Sequence, residues 1–111
     1  MKRKSFKLYV MDNVEKEMQG LQYLSPIPDG GFLFDVRKAL ISFHSKNVQE
    51  PFIIVALDKK GKVLEMTSMH PSEELYSTKG EQYVVEMSEK FFNRLDLESG
   101  DVIDFNTAKL S

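Results

Sequence analysis

The chain has 111 residues, of which 15 are Lys or Arg and 17 are Asp or Glu, so its formal net charge is −2. This length suffices for one domain with its own hydrophobic core and is too short for two. The near-neutral charge provides no broad basic field, which argues against duplex nucleic acid as a partner. The absence of cysteine excludes disulfides, a thiol nucleophile and thiolate zinc sites.

No stretch of the sequence approaches the roughly 20 consecutive apolar residues that a membrane-spanning helix needs. The basic residues 2–4 lead into residues 5–10, where apolar and polar side chains alternate, unlike the apolar region of a signal peptide. We therefore expect a cytoplasmic protein that does not associate with a membrane.

The first third of the chain predicts a strand, a short helix and a loop. Residues 6–10 alternate with the period of a half-buried strand. Asp12 stands three residues before Glu15, which is typical of a helix start, and the helix is predicted to end around Gly20. Residues 25–31 contain two prolines and two glycines and predict an irregular loop.

The middle of the chain predicts most of the sheet. The alternating pattern resumes over residues 32–43, with a bend near its centre. Residues 52–57 are apolar at every position, as in a strand covered on both faces, and predict the centre of the core. Residues 58–61 carry turn chemistry, with Gly61 suited to a positive φ, so we predict a hairpin whose second strand covers residues 62–68.

The last third predicts a long loop before the final elements. Residues 70–80 mix Pro, Ser, Glu, Thr and Gly without apolar periodicity, which favours a loop of roughly ten residues. Residues 82–87 predict a strand, and Ser88 is placed to cap a two-turn helix. Residues 102–105 predict a last strand before a C-terminal tail over residues 106–111.

Together these elements predict a single mainly β domain over residues 1–111. About seven short strands and two short helices occur without the strand and helix alternation of βαβ units. We therefore expect an antiparallel β-sandwich or a partly closed barrel, formed by residues 5–105.

Seven short motifs then occur in a recognisable order. They are Gly20-Leu21, Pro28-Asp29-Gly30-Gly31-Phe32-Leu33-Phe34, Phe43-His44-Ser45-Lys46-Asn47-Val48, Pro51-Phe52-Ile53, Lys60-Gly61-Lys62-Val63, Tyr83-Val84-Val85-Glu86 and Gly100-Asp101-Val102. On these motifs the chain resembles, over residues 6–105, the bacterial and archaeal family known as domain of unknown function 192. The resemblance implies a compact β-sandwich domain whose biochemical role has not been settled and which exported proteins often carry.

The resemblance also marks where this chain departs from the family pattern. The differing residues are His44, Ser45, Val48 and Ile53, which stand where the family has Trp, Met, Thr and Asp. Lys46 and Asn47 are the retained polar residues of the same stretch. If the four differing positions form a family site, that site is altered or lost in this chain.

Lys46 and Asn47 are the first candidates for a ligand or partner surface, and we add His44 and Tyr76 to them. Asn tolerates a left-handed backbone and bonds to neighbouring main chain, so a structural role for Asn47 is favoured over ligand contact. Lys46 is the better ligand candidate because a solvated ammonium has less structural reason to stand in the loop. Exposed tyrosines can also serve as contact residues. The tyrosines of this kind are Tyr9, Tyr23 and Tyr76.

Catalytic chemistry has weaker support in the sequence. His44 and His70 are the only histidines, and neither has a second metal ligand at short spacing. An enzyme would require the fold to bring them into one pocket with residues such as Asp35 and Glu65. No Gly-X-Ser-X-Gly turn accompanies them.

We therefore expect a non-catalytic binding or interaction module with no cofactor and no metal, facing a protein or glycan partner with Lys46, Asn47 and residues 70–80. Two alternatives stay open. One is a structural subunit of a larger assembly, such as a viral particle, that docks through an edge strand such as residues 5–11. The other is a metal-dependent or hydrolytic enzyme that uses His44 and His70. The ligand and the oligomeric state are left undetermined by the sequence.

Overall fold

The structure, a computed structural model, describes residues 2–12, 20–37, 42–71 and 74–105. Within these residues the chain forms nine strands and one helix, so the protein is mainly β, with more strands than the seven predicted. The elements are β1 (Arg3–Lys4), β2 (Leu8–Val10), β3 (Gly31–Asp35), β4 (Ser42–His44), β5 (Phe52–Leu57), β6 (Val63–Met69), β7 (Leu75–Ser77), β8 (Tyr83–Ser88), α1 (Glu89–Leu95) and β9 (Val102–Ile103). The predicted first helix falls on residues 13–19, and the predicted tail on residues 106–111. Both lie outside the described residues.

A five-stranded sheet in the order β2-β3-β8-β5-β6 forms the middle of the molecule. The pairs from β3 to β6 are antiparallel, but β2 runs parallel to β3 and β1 runs parallel to β9. The predicted mainly β sandwich is therefore confirmed, with antiparallel pairing at the centre of the sheet and two parallel pairs, β1 with β9 and β2 with β3, that the sequence does not predict. The 20 residues between β2 and β3 are far more than a hairpin needs, and such a length permits a parallel crossover. Among the described strands, none pairs with the outer sides of β2 and β6 in the five-stranded sheet, so the fold is a layered sandwich and not a closed barrel.

Strand β5 is the centre of the core, as its sequence predicts. All six of its residues are buried, and it pairs with β6 on one side and β8 on the other. The predicted hairpin to β6 is confirmed: Asp58 Oδ1 accepts hydrogen bonds from the backbone N–H groups of Lys60 at 2.8 Å and Lys62 at 2.9 Å. Gly61 adopts a φ of 87°, which glycine reaches without strain.

The two faces of the central sheet carry different cores, because successive side chains of a strand point to opposite faces. We call the side that carries the buried aromatic rings the aromatic face, and the opposite side the aliphatic face. The aromatic face includes Phe32, Phe34, Phe43, Phe52 and Tyr76. The aliphatic face includes Ile53, Val55, Leu57, Val85, Met87 and Ile103.

Different elements cover the two faces. On the aliphatic face, α1 is capped by Ser88, whose Oγ accepts a hydrogen bond from the Phe91 N–H at 3.1 Å, so the predicted cap is confirmed. On the aromatic face, β4 and β7 form a separate antiparallel ribbon. The prediction of an uninterrupted loop over residues 70–80 is thus wrong, because β7 falls inside it. Its alternation is only three residues long, with Tyr76 buried between two exposed neighbours.

Candidate binding surface

The residues predicted for a binding surface lie on or beside the ribbon formed by β4 and β7. His44 is the last residue of β4 and stands opposite Leu75 of β7. Lys46 and Asn47 follow in the adjoining turn and, like His44, are exposed. The structure thus brings His44, Lys46 and Asn47 to one end of the ribbon.

Asn47 holds this turn against the segment that contains Tyr23. Both residues have left-handed backbones, with φ values of 62° for Asn47 and 65° for Tyr23. The Tyr23 N–H donates to the Asn47 carbonyl at 2.9 Å, and Asn47 Nδ2 donates to Gln22 Oε1 at 3.1 Å. A bulky residue in this conformation is an outlier that only surrounding contacts can sustain. The Asn47 contacts are therefore those of a residue that shapes the loop, and they keep Tyr23, 69% exposed, beside it.

Ser45 fastens the other side of the turn to the strand that carries Leu75. The Ser45 N–H donates to the Glu74 carbonyl at 3.0 Å, and the Glu74 N–H donates to Ser45 Oγ at 2.9 Å. Leu75, the next residue, is 68% exposed. Among the described residues, no carboxylate pairs with the Lys46 ammonium.

We call the exposed residues gathered here the ribbon-tip surface. Its members are Tyr23, His44, Lys46, Asn47 and Leu75. It combines an aromatic ring, an aliphatic side chain and an ammonium that has no carboxylate partner in the described part of the chain. Hydrogen bonds hold the turn from both sides. The sequence points to four of these residues but not to Leu75, because residues 70–80 show no apolar periodicity and predict a loop.

Tyr76 does not belong to this surface, and the expectation that it is exposed is wrong. Its ring is only 6% exposed, and its hydroxyl donates to Glu81 Oε2 at 2.5 Å. Burial, with the bond to Glu81, raises the pKa of Tyr76. Burial acts to raise the pKa of Glu81 as well, but hydrogen bonds from Tyr76 and the Lys79 N–H outweigh it and the pKa lies below its usual range. Tyr76 therefore anchors the ribbon to the core.

The four positions at which the chain departs from the family pattern do not form one site. Val48 is buried on the aromatic face, whereas Ile53 is buried on the aliphatic face, with the sheet between them. Ser45 is buried and bonded to Glu74, so only His44 reaches solvent. A shared chemical role for these four positions is therefore not supported in this chain.

The two histidines lie in ordinary exposed positions. His70 Nδ1 stands 3.3 Å from Glu74 Oε1, and the His70 N–H donates to the same carboxylate. His44 Nδ1 accepts a hydrogen bond from the Lys46 N–H at 3.2 Å. Across the part of the chain that the structure describes, no three His, Asp or Glu side chains are grouped so as to hold a metal ion.

A concave feature lies away from the ribbon tip, between residues 26–29 and α1. It is an open groove of about 710 Å³ that includes Asp29, Glu50, Lys90 and Arg94. Arg94 Nη2 pairs with Asp29 Oδ1 at 2.6 Å, and Glu50 accepts a hydrogen bond from the Ile27 N–H at 3.0 Å. Three of the four charged side chains are thus already bonded within the protein. The groove therefore offers a ligand fewer free polar groups than its lining suggests, and we favour the ribbon tip as the binding surface.

The aromatic face also contains a buried carboxyl group. Glu86 of β8 is 4% exposed and lies between Phe32 of β3 and Ile54 of β5 in the sheet register. A Cβ added at Gly20 would stand 3.3 Å from Glu86 Oε1, so the Gly20 backbone covers the carboxyl closely. Burial raises the pKa of Glu86 to about 8. Sequence reasoning placed this residue in a strand but did not single it out.

These features define a mixed β-sandwich domain with an exposed ribbon tip and a buried carboxyl group at its centre. A family model for domain of unknown function 192, described as "Uncharacterized ACR", matches residues 1–105. The chain belongs to this family, as its motifs indicate. Among curated proteins, none matches the sequence.

Two solved structures share the fold. One, from Novosphingobium aromaticivorans, is described as a protein of unknown function; it is 19% identical with a TM-score of 0.71, over 86% of this chain and 71% of that one. The other, from Sinorhizobium meliloti, is described as a putative transcription regulator; it is 24% identical with a TM-score of 0.70, over 84% of this chain and 76% of that one. At these identities the likeness concerns the fold alone. In the described residues, no helix is long and apolar enough to cross a bilayer.

Proposed function

We propose that this domain is a non-catalytic binding module that uses the ribbon-tip surface to contact a protein partner. The observation that carries the proposal is the position of the Lys46 ammonium, which no carboxylate of the described residues pairs with. It stands on a turn that hydrogen bonds fasten to Tyr23 and to Glu74, the neighbour of the exposed Leu75. The turn is held in place before any partner arrives. A preformed contact surface loses less conformational entropy on binding than a flexible one.

The composition of the surface favours a protein over a glycan. An exposed aromatic ring could stack on either, but the exposed aliphatic Leu75 gains mainly by burial against apolar side chains. Lys46 adds a cation for a carboxylate on the partner. Interfaces of this kind concentrate their binding energy in a few aromatic or charged anchors surrounded by neutral contacts. We therefore propose a partner surface that offers an apolar patch next to an acidic residue.

Site-specific photo-crosslinking in the native host tests this proposal. A photoreactive phenylalanine analogue replaces Tyr23 in one variant and Leu64 in another. Leu64 is a suitable control because it is 50% exposed but lies at the start of β6, outside the ribbon tip. We expect a discrete protein adduct from position 23 and none of the same mass from position 64.

Affinity measurements on the purified partner then identify the anchors. We expect Tyr23→Ala and Lys46→Glu each to weaken binding at least about tenfold, which corresponds to about 1.4 kcal/mol, and Leu64→Ala to leave it unchanged. Equal adducts from both positions would contradict the proposal. So would selective glycan binding without a protein adduct.

A further inference from the structure

Strand β6 is an open edge of the central sheet, and its backbone directions follow from the hydrogen bonds around it. The Val63 N–H donates to the Asp101 carbonyl at 2.8 Å, and the Val63 carbonyl accepts from the Gly100 N–H at 2.9 Å. Both groups of Val63 therefore point away from β5. In β6, and among the bonds of the described residues, Val63 alone has its outer side bonded to the segment that leads into β9.

The directions farther along β6 follow from β5. The Leu57 carbonyl accepts from the Gln82 N–H at 2.9 Å and so faces β8. Backbone groups alternate in direction along a strand, so Ala56, Ile54 and Phe52 face β6. After the register shift between Ala56 and Leu57, the partners of these three residues are Glu65, Thr67 and Met69. These three residues of β6 therefore use their backbone groups inside the sheet.

Met66 and Ser68 must then direct their N–H and C=O groups outward. No backbone group in the described part of the chain bonds to these four groups across the edge. The strand lacks Lys and Pro, has Glu65 as its single charge, and carries its register shift at its first residues. Little therefore protects the part of the edge around Met66 and Ser68 from pairing with another strand. The opposite edge, β2, is only three residues long and is preceded by Lys7.

We propose that β6 pairs antiparallel with β6 of a second copy of this chain, about a two-fold axis at Thr67. In this register Met66 stands opposite Ser68 of the second copy, and Ser68 opposite its Met66. All four outward groups of each strand then gain partners. The two central sheets become one continuous sheet of ten strands.

Other two-fold registers fit the edge less well. An axis at Met66 would set Ser68 opposite Leu64, which lies where the register shifts. An axis at Ser68 would set Met66 opposite His70, whose N–H already donates to Glu74. With the axis at Thr67, Glu65 faces Met69 and no like charges meet. In this register Val63 stands opposite residue 71 of the second copy, which lies beyond the end of that copy's β6. The segment that covers Val63 is therefore not in the way of the pairing.

A cysteine crosslink tests the register directly, because the chain contains no cysteine of its own. Residues on the axis of this pairing form a non-hydrogen-bonded pair with Cα atoms roughly 4.5 to 5.5 Å apart, within reach of a disulfide. We expect Thr67→Cys to give a covalent dimer under mild oxidation. Met66→Cys is the matched control, and it should crosslink several-fold less because it faces Ser68. Preferential crosslinking of Met66→Cys would overturn the register.

Analytical ultracentrifugation tests the association itself. Ser68→Pro removes an outward donor without touching a bond to β5, and edge strands accept proline at such positions. The double variant Met66→Lys with Ser68→Lys keeps the backbone donors but sets like charges opposite each other. We expect each to raise the dimer dissociation constant at least tenfold. A wild-type chain that stays monomeric at several hundred micromolar, or a dimer unaffected by both variants, would overturn the proposal.

Discussion

The two faces of the central sheet carry different cores. The aliphatic face is closed mainly by branched side chains, together with α1 and half-buried rings such as Phe6 and Phe105. The aromatic face packs large rings around buried polar groups, among them Ser45, Glu81 and Glu86. The candidate binding residues all lie on the side of the aromatic face. The contrast suggests that one face supplies stability while the other holds an exposed ribbon in a fixed shape.

The largest effect is expected from a cavity in the aliphatic face. Leu57 is fully buried there, so Leu57→Ala should lower the free energy of unfolding by about 2–5 kcal/mol, measured by urea denaturation. The matched control is Leu75→Ala at the ribbon tip, where the same truncation on an exposed side chain should cost less than about 0.5 kcal/mol. Comparable losses at the two leucines would mean that the faces do not differ as described.

The next effect is a dependence of folding stability on pH, which arises from Glu86 on the aromatic face. Its pKa is about 8 in the folded state against 4.5 for an ordinary Glu, so between these values the folded protein holds a proton that the unfolded chain releases. Stability should therefore fall as pH rises through this window, by up to about 1.4 kcal/mol per unit. As far as Glu86 is concerned, stability should be constant below about pH 4.5, fall between pH 4.5 and 8, and level off above pH 8.

Glu86→Gln tests this because the amide resembles the protonated acid. We expect the variant to be more stable than the wild type at pH 8, with the slope between pH 5 and 8 largely removed. Glu65→Gln on the exposed part of β6 controls for the lost charge. If the wild type and Glu86→Gln show parallel pH profiles, Glu86 is not the group that couples stability to pH.

A smaller effect is expected where the ribbon is anchored to the aromatic face. Tyr76→Phe removes the hydroxyl that donates to Glu81 and leaves a buried carboxylate with one partner fewer, so the loss should be about 1.5–3 kcal/mol. Tyr83→Phe is the control, since the Tyr83 ring packs on Phe105 and no described hydrogen bond involves its hydroxyl. Equal stability of the two variants would remove Tyr76 as the anchor.

The same contrast explains what the sequence could predict. Strands β5, β6 and β8 follow from local patterns, because they have apolar runs or border clear turn residues. The cap at Ser88 likewise follows from the residue type at that position. Strand β7 is three residues long and is held by Phe43, which comes much earlier in the chain, and by the hydrogen bond from the Tyr76 hydroxyl to Glu81. No local pattern signals such contacts. For this reason Leu75 was missed and Tyr76 was placed on the surface.

The smallest expected change in stability concerns Asn47 at the ribbon tip. Two variants distinguish a residue that only shapes the turn from one whose amide contacts the partner. At a φ of 62°, Asn47→Ala should cost about 1 kcal/mol of backbone strain, whereas Asn47→Gly should change stability by less than about 0.5 kcal/mol because glycine accepts this conformation. Both variants lose the amide bond to Gln22, so the difference between them isolates the backbone. Thermal denaturation and partner affinity should be measured on both. If Asn47 only shapes the turn, Asn47→Gly keeps most of the affinity that Asn47→Ala loses. If its amide contacts the partner, both variants lose affinity alike while only one loses stability.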